Sequence, residues 1–162
     1  MIAAIVMAYV TLARLVELAI ARRNTARQLA AGAREYAPRH YPLIVAVHVA
    51  WLAALWTMVW GHPFHRGWLA VFAVLQLLRV WVLATLGSRW TTRIIVIPGA
   101  TLVRAGPYRW IKHPNYAVVV GEIASLPLAF GLWQVALVFS ILNALVLIIR
   151  IRAENAALAL GR

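Results

Sequence analysis

The fold is decided by residues 116–149, which read YAVVVGEIASLPLAFGLWQVALVFSILNALVLII. One helix across a membrane needs about 20 apolar residues, so this run is too long for one helix and too short for two full spans. Near its middle lie Pro127, Gly131, Trp133 and Gln134, which suit a turn. We therefore predict a tight helical hairpin with short or tilted arms.

Three further apolar stretches precede the hairpin and predict helices over residues 1–21, about 41–60 and about 67–87. With the two hairpin arms they predict an all-α integral membrane protein with about five transmembrane helices and a cytoplasmic C-terminal helical extension. The length suits a single domain. We divide this domain, residues 1–162, into three N-terminal membrane helices (1–87) and a region with a long loop, the hairpin and the extension (88–162).

The composition excludes several other classes of protein. The chain is 64% hydrophobic and 12% charged, whereas soluble domains average about 45–50% apolar and about 25% charged residues. The apolar content excludes a disordered chain, and the absence of Cys excludes a disulfide scaffold. The net charge of +12 does not indicate a nucleic-acid partner, because a soluble basic domain needs more polar surface to cover its core.

The distribution of the basic residues indicates instead how the chain is oriented in the membrane. If alternate loops face the same side, almost all loop bases share one side, and Arg66 is the exception. Basic residues gather on the cytoplasmic side of membrane proteins, so we predict that loop 88–115 and the C-terminus are cytoplasmic, facing anionic lipid. In a bacterium this is the inner, cytoplasmic membrane. The bases on that side are Arg22, Arg23, Arg27, Arg34, Arg39, Arg89, Arg93, Arg104, Arg109, Lys112, Arg150, Arg152 and Arg162.

Ionisable residues inside the predicted spans are costly and therefore informative. Arg14 and Glu17 are spaced i,i+3 and can neutralise each other, which favours a structural ion pair. Arg79, about midway along the third helix, is expected to pair with Glu17 or Glu122. His48 is either an interhelical hydrogen-bond donor or a ligand. Since no carboxylate–His cluster has metal-ligand spacing, we predict no metal.

The long loop allows two interpretations. Its β-branched run up to Pro98 predicts a short hairpin or an extended crossing. Further on, Pro114 suits the first position of the fourth helix, which leaves His113 non-helical before it. Bases and a positive helix N-terminus then converge at the membrane edge. They form either a binding site or an interfacial anchor of aromatic and basic residues.

The fifth helix carries a sharper pattern. Asn143, Arg150 and Glu154 fall within about 40° of one another on a single helical face. The alternative, a helix end with solvated charges, explains Arg152 better than it explains Asn143. This face is the strongest site candidate from the pattern alone.

Several short motifs occur in a fixed order in the second half of the chain, and others occur in the first half. They are Gly106-Pro107-Tyr108, Lys112-His113-Pro114-Asn115-Tyr116, Glu122, Leu126-Pro127 and Arg150-Ile151-Arg152-Ala153-Glu154, with Arg14-Leu15-Val16-Glu17, Arg23-Asn24, Gly32-Ala33-Arg34-Glu35, His40-Tyr41-Pro42 and His48 in the first half. Over about residues 90–160 these motifs resemble the isoprenylcysteine carboxyl methyltransferase family, part of a wider group that includes phospholipid N-methyltransferases. The first half is similar to bacterial members, some of which methylate lipid-like phenols or pyrones.

The resemblance implies a methyltransferase that uses S-adenosylmethionine, yields S-adenosylhomocysteine and lacks a Rossmann domain. Loop 88–115, the start of the fourth helix and the C-terminal helix would then form the cofactor pocket. Carried over by position, Arg150 would lie near the acceptor, and Arg150 and Glu154 would be the catalytic residues. We assign Asn143 and His48, with Arg150, to the acceptor site. The residues implied for the cofactor are Lys112, His113, Tyr116, Glu122, Leu126, Pro127 and Glu154.

Two positions depart from the family pattern. Lys112 replaces the usual Arg. This keeps the positive charge but removes the guanidinium group, which can donate two parallel hydrogen bonds to one partner. Asn155 stands where a second Glu is usual, which removes a charge and bears on the class of acceptor.

The implied reaction is O-methylation of a lipophilic carboxylate, phenol or enol at the cytoplasmic edge of the bilayer. Two alternatives stay open. One is N-methylation of a phospholipid head group, which the scarcity of acidic residues at this edge disfavours. The other is a non-catalytic helical membrane scaffold or binding protein.

Overall fold

Five α-helices carry most of the chain in the computed structural model, which describes residues 1–160; Arg162 lies outside the described residues. They are α1 (Ile2–Ala30), α2 (Tyr41–Met58), α3 (Arg66–Leu86), α4 (Pro114–Ala129) and α5 (Trp133–Leu160).

Four of these helices, α1, α2, α3 and α5, are long and apolar enough to cross a membrane. The fifth, α4, has 16 residues and is about 24 Å long, which is less than the hydrocarbon thickness of about 30 Å. It is the short arm that the length of the apolar run predicts. The class of helical integral membrane protein is therefore confirmed.

The apolar side chains are divided between an interior and an outward surface. A cluster around Met7, Leu55, Phe72, Leu126 and Phe130 fills the space between the helices. Many other large apolar side chains point outward. In the most apolar 18-residue stretch of α1, only 11% of the residues are buried. An outward apolar surface of this kind is what a lipid environment requires.

The hairpin turn, residues 130–132, lies within the stretch 127–134 that the sequence predicts for it. Pro127 is inside the last turn of α4, and Trp133 begins α5, so only Gly131 of the expected turn residues lies between the helices. Proline lacks the N–H that would bind the carbonyl of Ile123. The indole Nε1–H of Trp51 on α2 donates to that carbonyl instead, at 3.3 Å. A contact from another helix therefore allows proline here.

The hairpin also packs closely against α3. At Gly121 an added Cβ would lie 2.8 Å from Leu75 Cδ1 on α3. Glycine at this position lets the α4 backbone approach its neighbour.

A two-stranded sheet interrupts the helical pattern on the side of the long loop. Strand β1 (Arg34–Tyr36) pairs antiparallel with β2 (Ile94–Val96), and Glu35 faces Ile95. The β-branched run is extended, which is one of the two structures predicted for it. It does not form a hairpin with its own loop, and it pairs instead with a strand of the first loop. Arg93 strengthens this link through an ion pair with Glu35 at 2.7 Å.

A cluster of two bases and two acids joins three helices within the membrane-spanning part. Arg79 of α3 contacts Glu17 of α1 at 2.6 Å and Glu122 of α4 at 2.8 Å. Arg14 of α1 contacts the same two carboxylates, at 2.9 and 3.2 Å. Gln76 donates to Glu122 at 2.7 Å. The predicted pairs Arg14–Glu17 and Arg79 with Glu17 or Glu122 are confirmed, and they form one neutral network, which we call the ion cluster.

Replacement of Arg79 by Met should destabilise the fold strongly. It leaves two buried carboxylates to share Arg14, and removal of one partner from a buried pair costs about 3–5 kcal/mol. Thermal unfolding in detergent micelles measures the effect.

The control is Arg66→Met, because Arg66 is an exposed base of the same helix outside the cluster. The double variant Arg79→Met/Glu122→Gln leaves the neutral pair Arg14–Glu17 and should regain part of the loss. Equal stability of Arg79→Met and Arg66→Met would contradict a stabilising role for the cluster.

Candidate active site

The start of α4 is built by the segment that carries the Gly-Pro-Tyr and His-Pro elements. Gly106 begins a 3-10 turn with φ of +50°, and an added Cβ would lie 2.5 Å from Thr85 Oγ1, so glycine is required there. Pro114 is the first residue of α4, and His113 precedes it with non-helical angles, as predicted. The side chains of His113 and Tyr116 therefore leave the first turn of α4 together.

Helix α5 brings Arg150 and Glu154 against Tyr116. The Tyr116 hydroxyl donates to the Glu154 carboxylate, and Arg150 Nε donates to the Tyr116 oxygen at 3.0 Å. Arg150 is 7% exposed. One hydroxyl thus joins a buried guanidinium to a carboxylate one helical turn away.

His113 extends this row of polar groups. Its ring stacks on Tyr116 with centroids 5.2 Å apart, and its Nδ1 lies 3.8 Å from Glu154 Oε1. Its Nε2 lies 3.3 Å from the side-chain oxygen of Asn155. An amide oxygen only accepts, so His113 Nε2 carries the hydrogen in this contact. The departure at position 155 therefore makes Asn155 a partner of His113.

These groups line a cleft of about 520 Å³, which lies in the size range of small-molecule sites. The long loop covers one side, from Arg89 to Arg104, and α4 and α5 form the other. Cations predominate along its walls, while Glu154 is the acidic side chain that lines it within residues 1–160. The cationic residues are Arg89, Arg93, Arg104, Arg109, Lys112 and Arg150.

Tyr108 adds a neutral hydroxyl to the cleft. Burial raises the pKa of the Tyr108 hydroxyl above its ordinary value, and the negative charge of Glu154 raises it further. Tyr108 therefore stays protonated and can donate a hydrogen bond throughout the physiological pH range.

Asn115 is a cleft residue that the sequence reasoning missed. Its side-chain oxygen is buried and has no hydrogen-bond partner within the described part of the chain. Buried polar atoms are nearly always paired, so this acceptor suits a donor supplied by a ligand. Asn115 could have been suspected from the sequence because it belongs to the His-Pro motif. The motif does not reveal, however, which of its side chains lacks a hydrogen-bond partner.

The structure brings together five of the predicted site residues: Lys112, His113, Tyr116, Arg150 and Glu154 all line the cleft. Asn143 is buried on the same face of α5, about 10 Å from Arg150 along the helix axis. It does not line the cleft.

Four further predicted site residues lie away from the cleft. Both Glu122 oxygens bind ion-cluster partners, so Glu122 is not a cleft residue. Leu126 and Pro127 are fully buried between the helices and form no cleft wall. His48 hydrogen-bonds with the Ile44 carbonyl at 2.9 Å and lies beside the ion cluster.

The fold and the site together define a helical integral membrane protein with a polar cleft at one end of its helices. Residues 68–160 match the isoprenylcysteine carboxyl methyltransferase (ICMT) family. The chain belongs to this family. Because the family is made up of methyltransferases, the chain is assigned as a membrane methyltransferase.

Two bacterial relatives extend the similarity over most of the chain. The uncharacterized protein YpbQ of Bacillus subtilis (strain 168) is 41% identical over 150 residues, which cover 90% of this chain and 89% of the relative. An uncharacterized protein of Haemophilus influenzae is 27% identical over 154 residues, which cover 90% and 88%. No solved structure matches the chain.

Replacement of Tyr116 by Phe should lower the free energy of unfolding by about 1–3 kcal/mol, because Arg150 and Glu154 lose the hydroxyl between them. Unfolding in detergent, followed by tryptophan fluorescence, measures the change. Tyr36→Phe is the control, since Tyr36 packs against the apolar pair Ile94 and Val96. The same small effect in both variants would refute the importance of this hydroxyl.

Proposed function

We propose that the chain is an S-adenosylmethionine-dependent O-methyltransferase that acts on a lipophilic acceptor at the cytoplasmic edge of the membrane. The main support is the hydrogen-bonded row Arg150–Tyr116–Glu154 in a cleft at the end of the membrane helices. This row combines a cation for an acceptor oxygen with a carboxylate for the positive groups of a cofactor.

The cleft residues fit S-adenosylmethionine chemically. The Glu154 carboxylate suits the ammonium or ribose hydroxyls, and the unpaired oxygen of Asn115 suits an amino group. Lys112 suits the cofactor carboxylate, and the stacked rings of His113 and Tyr116 offer an aromatic surface. When bound, the cofactor supplies an electrophilic methyl group on a positively charged sulfur.

The residues of the chain would act mainly by positioning. Tyr116 binds Arg150 Nε and His40 lies 3.5 Å from Nη1, which leaves Nη2 of the guanidinium to bind an acceptor oxygen. Arg150 orients and stabilises that oxygen as an anion. A carboxylate acceptor is already charged at neutral pH, whereas a phenol or enol must lose a proton.

The charge of the cleft favours an oxygen acceptor over an amine. N-methylation of a phospholipid requires a head group with an amine, and a cationic surrounding repels its protonated form. Glu154, the carboxylate of the lining, is already assigned to the cofactor and so does not offset this repulsion. The lipid tail of an acceptor would approach from the bilayer, with loop 88–115 and the C-terminus on the cytoplasmic side. In a bacterium the location would be the inner, cytoplasmic membrane.

Replacement of Glu154 by Gln should weaken binding of S-adenosylhomocysteine at least about tenfold, because a hydrogen bond to a charged group contributes about 1.5–3 kcal/mol. Isothermal titration calorimetry measures the affinity. Glu35→Gln is the control, since Glu35 pairs with Arg93 away from this row. Unchanged affinity of Glu154→Gln would exclude Glu154 from the cofactor site.

Replacement of Arg150 by Ala should leave binding of S-adenosylhomocysteine within a few-fold and lower methyl transfer by at least about 100-fold, since the loss of one stabilising donor typically costs this much. The assay transfers labelled methyl groups from S-adenosylmethionine into a lipid extract of the host, with the product identified by mass spectrometry. Arg152→Ala, at an exposed position of the same helix, is the control. Near-normal transfer by Arg150→Ala would refute its role.

A non-catalytic scaffold is separated from an enzyme by one further measurement. Ligand binding raises the melting temperature of a folded protein. The wild-type protein should melt at a higher temperature with S-adenosylhomocysteine than without it, and an unchanged melting temperature would favour the scaffold.

A further inference from the structure

Two arginines at the rim of the cleft take no part in the proposed reaction. Arg104 and Arg109 line the cleft and are exposed, and neither side chain has a salt bridge or a hydrogen bond within residues 1–160. The other arginines of the lining each have a partner: the Thr101 carbonyl for Arg89, Glu35 for Arg93 and the Tyr116 hydroxyl for Arg150. Arg104 and Arg109 are therefore free to bind an anion.

The chain has no carboxylate side chain left to neutralise these two arginines. Its four acidic residues are all glutamates. Each of them is engaged elsewhere: Glu17 and Glu122 in the ion cluster, Glu35 with Arg93 and Glu154 with Tyr116. An anion that binds both Arg104 and Arg109 must therefore belong to another molecule.

The backbone holds the two arginines beside the end of a membrane helix. Gly106, which lies between them in sequence, packs against α3, where an added Cβ would lie 2.5 Å from Thr85 Oγ1 and 3.2 Å from Trp81 Nε1. Thr85 is in the last turn of α3. Arg104 is two residues before Gly106, so their Cα atoms are within about 7 Å of each other. Arg109 ends the 3-10 turn that Gly106 begins, about 6 Å further on. Both arginines thus lie at the level where α3 leaves the hydrocarbon region.

Large apolar side chains next to Arg109 are exposed at the same level. Trp110 is 70% exposed and Ile111 is 52% exposed. The Trp110 ring packs on Trp81 of α3 with ring centroids 6.0 Å apart, and the guanidinium carbon of Arg109 lies 5.7 Å from the Trp110 centroid. Tryptophan is enriched where the hydrocarbon meets the lipid head groups. The segment therefore presents a cation and an aromatic ring together at the head-group level.

We propose that Arg104, Arg109, Trp110 and Ile111 form a binding site for one anionic phospholipid of the phosphatidylglycerol type. The two guanidinium groups bind phosphate oxygens, and the apolar pair contacts the glycerol backbone and the upper acyl chains. A zwitterionic phospholipid has the same phosphate, but the arginines repel its ammonium group and no carboxylate offsets this. The bound lipid holds the rim of the cleft at the bilayer surface. This site is separate from Arg150 and does not require methyl transfer.

Counting bound lipid by native mass spectrometry tests the site without turnover. In dodecyl maltoside micelles the wild-type chain should bind one dioleoyl phosphatidylglycerol at least about tenfold more tightly than dioleoyl phosphatidylcholine, which has the same acyl chains. The variant Arg104→Gln/Arg109→Gln should bind phosphatidylglycerol about 30-fold more weakly, since two bases near a membrane surface contribute about this factor. Equal affinity of the wild type for the two lipids would overturn the proposal.

The matched control removes the same charge elsewhere. Arg22 and Arg23 are exposed bases of α1 that do not line the cleft. Arg22→Gln/Arg23→Gln should change the affinity for phosphatidylglycerol by less than about threefold, because the Debye length at physiological salt is only about 8 Å. Equal weakening by the two double variants would mean that the lipid responds to the overall charge, and a specific site would be excluded.

The exposed ring is tested separately. Trp110→Ala should weaken binding of phosphatidylglycerol about fivefold, because the lipid loses its aromatic contact and Arg109 loses the ring beside it. Trp60→Ala is the control, since Trp60 is also half-exposed but lies in the loop between α2 and α3. Unchanged affinity of Trp110→Ala would contradict a site that includes this ring. Displacement of the lipid by an equal concentration of inorganic phosphate would show recognition of phosphate alone and overturn a lipid site.

The variants are checked for folding by their melting temperatures, and Arg104→Ser/Arg109→Ser replaces the Gln variant if that one does not fold. Lipid binding is measured without S-adenosylhomocysteine. Failure of the lipid site therefore leaves the proposed methyl transfer unaffected, and a chain that does not bind S-adenosylhomocysteine leaves the lipid site unaffected.

Discussion

The neutral cluster of two arginines and two glutamates is the interaction on which the rest of the structure depends. Helix α1 buries little of its apolar surface, and Arg14 and Glu17 bind it to α3 and α4. None of these charges is stable alone in the hydrocarbon region, so each requires the others. The cluster thereby aligns α1, whose far end carries Asn24 and Gln28. Those amides donate to backbone carbonyls at the end of α3 and the start of the long loop, and so connect the cluster to the cleft.

The cleft depends on contacts between segments distant in sequence. Tyr116 on α4 lies between Arg150 and Glu154 on α5, and the pairing of β1 with β2 ties the first loop to the loop that covers the cleft. The same sheet precedes the turn that carries His40 to Arg150. A polar row of this kind at the end of apolar helices suits the proposed reaction, which would join a water-soluble methyl donor and an acceptor from the bilayer.

Much of the fold could be predicted because hydropathy and helical periodicity are properties of short stretches of sequence. Lengths of apolar runs indicated the helices, and Pro114 indicated the start of α4. The turn was predicted within residues 127–134 and lies at residues 130–132. The continuation of α4 past Pro127 could not be predicted, because Trp51 of another helix binds the carbonyl that proline leaves free. Glu122 belongs to a motif, but its two oxygens bind other side chains of the ion cluster. Motif membership therefore did not reveal which residues line the cleft.

The sequence by itself determined the class of protein, since 64% hydrophobic residues and four acids in the whole chain allow few structures other than membrane helices. It also determined the single face of α5 that carries Arg150 and Glu154, because helical period follows from spacing alone. Only the tertiary structure decided the partners of these residues. Tyr116 and His40 contact Arg150 because separate elements pack together, and hydrogen bonds between such elements depend on three-dimensional approach rather than on any local pattern.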